Sequence, residues 1–121
     1  MLKLLIAIRS EVLADLLSSS LPQYDIHICH TGKAALTLLE TLQPEILILD
    51  LLLPVMDGLS LLRKSSYKPS SILALTTIAT DSVLQEAVDV GVQDVLLVPC
   101  AIRYIVEHLN ALMEKAPSTE A

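Results

Sequence analysis

The chain has 121 residues, enough for one domain with its own core, and it carries 14 acidic against 8 basic side chains, a formal net charge of −6. That balance, with Tyr24, Tyr67 and Tyr104 as the only aromatic residues, argues against this segment gripping a phosphate backbone or stacking on bases. The hydrophobic share of 53% lies in runs well short of the ~20 residues of a spanning helix, and the two cysteines, Cys29 and Cys100, form no C-x-x-C pair, so the reading is a cytoplasmic protein with two buried thiols.

Leu4-Leu5-Ile6-Ala7-Ile8 reads as a buried strand, and Val12, Leu13, Leu16 and Leu17 follow at helical spacing with Ser10 placed as the cap. A Ser- and Pro-containing break leads to a second strand over Tyr24–Cys29, and Thr31-Gly32 is expected to turn the chain. Ala35, Leu38, Leu39 and Leu42 then mark the inner stripe of a second helix. The third strand, Ile46-Leu47-Ile48-Leu49, delivers Asp50 to its carboxyl end, and Pro54 with Asp57-Gly58 reverses the chain into a short helix from about Leu59 to Lys64. A fourth strand, Ser71–Leu75, ends at Thr76-Thr77. Val83, Leu84, Ala87 and Val88 stripe the next helix, which stops at Gly91. The fifth strand, Asp94–Val98, is ended by Pro99, and Ile102, Ile105, Val106, Leu109, Leu112 and Met113 define the last helix, so that the domain fills 1–115 and 116–121 is a linker or tail.

Five short apolar strands alternating with amphipathic helices require a parallel sheet covered on both faces. The fold expected is therefore α/β, a flavodoxin-like doubly wound sheet with strand order 2-1-3-4-5. Ligands of such sheets bind beyond the carboxyl ends of the strands, which makes Asp50 the centre of the edge where chemistry belongs.

The run Leu49-Asp50-Leu51-Leu52-Leu53-Pro54-Val55-Met56-Asp57-Gly58, with Leu75-Thr76 and Val98-Pro99 in register with it, resembles the receiver domain of bacterial two-component response regulators. The resemblance implies that Asp50 is the position that accepts a phosphoryl group from a histidine kinase. It implies a Mg²⁺ ion held by that Asp, by an acidic pair ending the first strand and by the Leu52 carbonyl. It also implies a hydroxyl at Thr76, a Lys before Pro99 and a switch aromatic at the position of Val95. This chain has Ile8-Arg9 in place of the acidic pair, Val98 in place of the Lys, and no aromatic ring at Val95. Glu11, one turn into the first helix, is no substitute for the missing acids. Phosphoryl transfer depends on positioning and charge neutralisation, so these replacements predict an atypical receiver impaired in phosphorylation. Arg9 is expected to pair with Asp50, since a nearby cation would hold that carboxylate ionised.

The lesser signals receive structural readings. His27 and His30 lack a ligand cluster and take surface or turn roles, and Cys29 and Cys100 are packing residues. Asp57 caps a helix, with a left-handed turn at Gly58, and Gly32, Gly58 and Gly91 form no phosphate-cradling loop. The resemblance implies a cis Val98–Pro99 bond, and an interaction face to which Asp89, Asp94, Arg103 and Glu107 would lend charges. The function expected is signalling through a protein partner, a histidine kinase or a second copy, with regulation of transcription as an output through a domain outside this chain. No enzyme activity, cofactor, membrane contact or direct nucleic-acid contact is expected. The alternative is a working phosphoacceptor, phosphorylated on Asp50 by a histidine kinase with Thr76, in which Mg²⁺, an unusual ion or Arg9 neutralises the charge. An α/β enzyme using the same edge lacks a nucleophile, base and oxyanion set.

Overall fold

A computed structural model describes residues 1–115 and contains every predicted strand and helix. The strands are β1 (Lys3–Ala7), β2 (Asp25–Cys29), β3 (Ile46–Asp50), β4 (Ser71–Thr76) and β5 (Asp94–Leu97); the helices are α1 (Glu11–Ser20), α2 (Gly32–Leu42), α3 (Gly58–Lys64), α4 (Asp81–Asp89) and α5 (Ile102–Lys115). All neighbouring strands are parallel, in the order β2-β1-β3-β4-β5. The expected tail over 116–121 lies outside the described residues.

Side chains along a strand alternate between faces, so β1, β3 and β4 feed two cores at once. Leu5, Ala7, Leu47, Leu49, Ile72 and Ala74 meet α2, α3 and α4 through Ala35, Leu39, Leu61, Leu62 and Ala87. On the other face Leu4, Ile6, Ile46, Ile48, Leu73 and Leu75 meet Ala14 and Leu17 of α1 and Ile105 and Leu109 of α5. No helix of the described residues is long and apolar enough to cross a membrane.

The helix ends follow from local chemistry. Ser10, Thr31, Asp57 and Thr80 are N-caps whose side-chain oxygens accept the N–H of Leu13, Ala34, Ser60 and Val83. Thr31-Gly32 is therefore the start of α2 rather than a free turn. Beyond α4 the Val92 N–H bonds the Ala87 carbonyl at 2.9 Å and the Gly91 N–H bonds that of Val88 at 3.1 Å, with Gly91 at φ 99°. This paired closure needs a residue in the left-handed region, which glycine enters without penalty.

Three stripe positions face outward instead of inward: Val12 and Leu16 of α1 and Val88 of α4 are exposed. Their helices bury Ala14 and Leu17, or Ala87, against the sheet. The apolar arc on each helix is wider than its contact with the sheet, so spacing alone misplaced the boundary.

Candidate functional site

Asp50 reaches the carboxyl edge because β3 is central and buried from Ile46 to Leu49, leaving its last residue as the first with access to solvent. Its carboxylate is held by two backbone donors from two different loops. The Leu52 N–H donates to Oδ1 at 2.9 Å, and the Arg9 N–H donates to Oδ2 at 3.3 Å. The first bond shapes the turn after β3, and the second ties the end of β1 to it. The expected Arg9–Asp50 ion pair is not formed. Among the described residues the ion pairs are Arg63–Glu86, His108–Asp94 and His27–Asp25. Arg9 is exposed just beyond β1, so its amide meets Asp50 without its guanidinium.

The loop after Asp50 is braced by two close approaches that only glycine permits. A Cβ on Gly32 would lie 1.8 Å from the Met56 carbonyl oxygen, and one on Gly58 would lie 2.9 Å from that of Asp50. The Gly32 N–H also donates to the Pro54 carbonyl at 3.1 Å, seating the loop on the start of α2. The left-handed residue in this loop is Val55, at φ 73°, and not Gly58. A β-branched side chain in that region is strained, and Val55 is 78% exposed. Asp57 caps α3, accepting the Ser60 N–H at 2.9 Å and the Ser60 hydroxyl at 3.0 Å. Those bonds, led by the Ser60 amide, hold its carboxyl below the ordinary carboxylate value.

Thr76 ends β4 buried, with its hydroxyl turned into its own loop. The Thr76 O–H donates to the Ile78 carbonyl and its Oγ1 accepts the Ile78 N–H, each at 3.1 Å. It builds a local turn at the strand end. Val98 donates its N–H to the Thr76 carbonyl at 2.9 Å and packs partly into the core shared by α1 and α5, and the Val98–Pro99 bond is cis. Pro99 is exposed. Val95 packs against the opposite core. Glu11 sits exposed in the first turn of α1.

His30, read as a turn residue, places Nδ1 2.9 Å from the Ile8 carbonyl and so clasps the ends of β1 and β2. His27 Nε2 lies 3.3 Å from an Asp25 oxygen, an ion-pair distance at an angle that makes no hydrogen bond. Burial pushes the Cys29 thiol up to about 11, as expected of a packing residue, whereas Cys100 is only partly buried, contrary to the reading of two buried thiols. Asp94, expected to lend charge to an outer face, is engaged by His108 Nδ1 at 2.7 Å. Among the described residues no three His, Cys, Asp or Glu side chains gather as metal ligands do.

A parallel sheet in this order, with a lone Asp ending its central strand and a hydroxyl residue ending the next, defines the class of flavodoxin-like signalling receivers. Residues 7–110 match the family described as response regulator receiver domain, and the chain belongs to that family. Domains of this family interact with histidine kinases or other proteins and are generally not themselves enzymes. The response regulator MprA of Mycobacterium bovis is 28% identical over 106 residues, which cover 86% of this chain and 46% of that protein. The transcriptional regulatory protein TrcR of Mycobacterium tuberculosis is 27% identical over 99 residues, 80% of this chain and 38% of that one. The chain thus spans less than half the length of these relatives. The solved structure of the Vibrio cholerae chemotaxis protein CheY4 superposes with a TM-score of 0.81 at 26% identity, covering 93% of this chain and 98% of that one.

Proposed function

We propose that this domain is an atypical receiver that signals without taking up a phosphoryl group, using Asp50 as a fixed structural charge and acting through protein partners or a second copy of itself. The observation that carries this reading is the end of β1. Ile8 is buried and Arg9 contributes its amide to Asp50, so the end of β1 supplies no carboxylate to the residue that would accept phosphate. A Mg²⁺ ion is held by carboxylates together with waters and substrate phosphate, and it dehydrates reluctantly. Here it would meet one carboxylate already accepting two N–H groups, so the donor set does not fit the ion. Val98 brings no ammonium to the edge, and the Thr76 hydroxyl is engaged by Ile78. Electrostatic contacts of this kind are each worth about 10²–10³ in rate, so their joint loss leaves slow transfer or none.

The names of the relatives and the unmatched half of their length support an output domain outside this chain, with transcription as one output. The net charge of −6 keeps nucleic-acid contact away from this segment. Unpaired Cys29 and Cys100 suit a reducing cytoplasm. The opposing reading, a working acceptor at Asp50, draws on the partial exposure of that residue beside Thr76. Incubation with acetyl phosphate and Mg²⁺ followed by intact mass measurement separates the two. The proposal expects unmodified protein, and a stoichiometric adduct absent from Asp50→Asn overturns it.

A further inference from the structure

α3 packs on α2 but makes few contacts with α4, and between α3 and α4 lies an open cleft of about 340 Å³ beside the loop that follows Asp50. Its walls are Leu59 of α3 and Val83 of α4, and Leu52 and Ile78 stand in it 41% and 48% exposed. The polar groups that face it have partners within the protein, while Arg63 and Glu86 keep about half of their side chains exposed, 50% and 46%. Asp57 is taken by Ser60, Thr76 by Ile78, and Arg63 spans to Glu86 at 2.9 Å as the one tie between the two helices that the ion pairs supply. The occupant would meet aliphatic surface at the centre and, at the rim, two carboxylates and one guanidinium, a surplus of one negative charge.

The geometry points to a docking groove for a segment of a partner protein that inserts an aliphatic side chain between α3 and α4 and lays a lysine or arginine against Glu86 and Asp57. The inference rests on the reading that the domain acts by binding partners, and it names the surface and the chemistry of the partner. The volume holds an aliphatic side chain with the stem of a flanking cation, which buries its methylenes while keeping its charge at the rim. Complementary charge selects such a segment and rejects acidic ones. The exposed Val12 and Leu16 of a second copy are unsuited, because Glu11 and Asp15 flank them and would bring like charge to the rim. Leu97, Arg103 and Tyr104 of a second copy have suitable chemistry, but seating them here would be a head-to-tail contact, which builds rings or filaments and not the two-fold dimer that is commonest among oligomers.

The test is a titration of the full chain, with labelled Ile, Leu and Val methyl groups, by three capped peptides: Ac-Gly-Lys-Leu-Lys-Gly-NH₂, its Glu-Leu-Glu counterpart and its Lys-Ser-Lys counterpart. The first should move the methyl resonances of Leu52, Leu59, Ile78 and Val83 saturably. The other two should bind about tenfold more weakly, one for its charge and one for its lost aliphatic side chain. Glu86→Gln and Ile78→Ser should each weaken the first peptide about threefold or more. Equal binding of the Lys-Leu-Lys and Lys-Ser-Lys peptides reports only attraction to an acidic protein and overturns the groove, as do shifts that spare these methyl groups. Shifts at the cleft that grow with protein concentration in the absence of peptide assign it to a second copy and overturn the separate partner. A phosphoryl adduct on Asp50 alongside saturable peptide binding removes the phosphorylation-impaired reading and leaves the groove standing.

Discussion

Replacing Asp50 by Asn should destabilise this domain. In the native chain Oδ1 accepts the Leu52 N–H at 2.9 Å and Oδ2 accepts the Arg9 N–H at 3.3 Å. The amide of Asn has one acceptor oxygen and one donor nitrogen, so one of these backbone donors must face another donor. A hydrogen bond to a charged group contributes about 1.5–3 kcal/mol when enclosed. Asp50 is only partly buried and the Arg9 bond is long, so the expected loss is about 1–2 kcal/mol. With a urea slope of about 1.5 kcal/mol per molar, the midpoint should fall by about 1 M. The chain has no Trp, so far-UV circular dichroism is the suitable probe. Arg9→Ala supplies the contrast. It keeps the amide and removes only an exposed guanidinium, so its stability should stay within about 0.5 kcal/mol of the parent. An unchanged or raised midpoint for Asp50→Asn would mean that the carboxylate is a strained charge and not a clasp between two loops.

Two further outcomes concern the same loop. Val55→Gly should raise the melting temperature by roughly 3 °C, because release from the left-handed region is worth about 1–2 kcal/mol against about 0.5–1 kcal/mol of added chain freedom when unfolded. Scanning calorimetry reads this directly, and a lowered melting temperature contradicts the strain at φ 73°. Asp57→Ala should lose about 1 kcal/mol at pH 7 as a lost helix cap. Its folded carboxyl lies below the ordinary value, so the native advantage is present above that value and fades as pH falls through the folded one. Urea curves of the two proteins should therefore converge on acidification, and a gap that widens there contradicts the capping account.

The architecture was legible because β1, β3 and β4 are covered on both faces, and such strands appear as continuous aliphatic runs. Ser10 was legible as a cap for the same local reason that makes it one. Asp50 was legible as the centre of the edge because a polar residue ending a central strand has only one place to go. Its partners were not. Backbone N–H groups are identical along the chain, and which of them meets a carboxylate depends on the path of two loops distant in sequence. The identity of Arg9 in the sequence therefore points to its side chain, whereas the structure uses its amide. Gly32 and Gly58 carry only a turn signal in the sequence, whereas each is set by a neighbouring backbone that arrives from elsewhere. Thr76 carries a local signal, since a hydroxyl two residues before a loop amide can close a turn on itself.

Phosphoryl uptake at Asp50 separates a fixed structural charge from a working acceptor. Full chain incubated with acetyl phosphate and Mg²⁺, quenched and weighed intact over a time course, should stay at its unmodified mass while an ordinary receiver in the same tube accumulates adduct. A stoichiometric adduct on this chain that disappears in Asp50→Asn would contradict the account and make Asp50 a working acceptor.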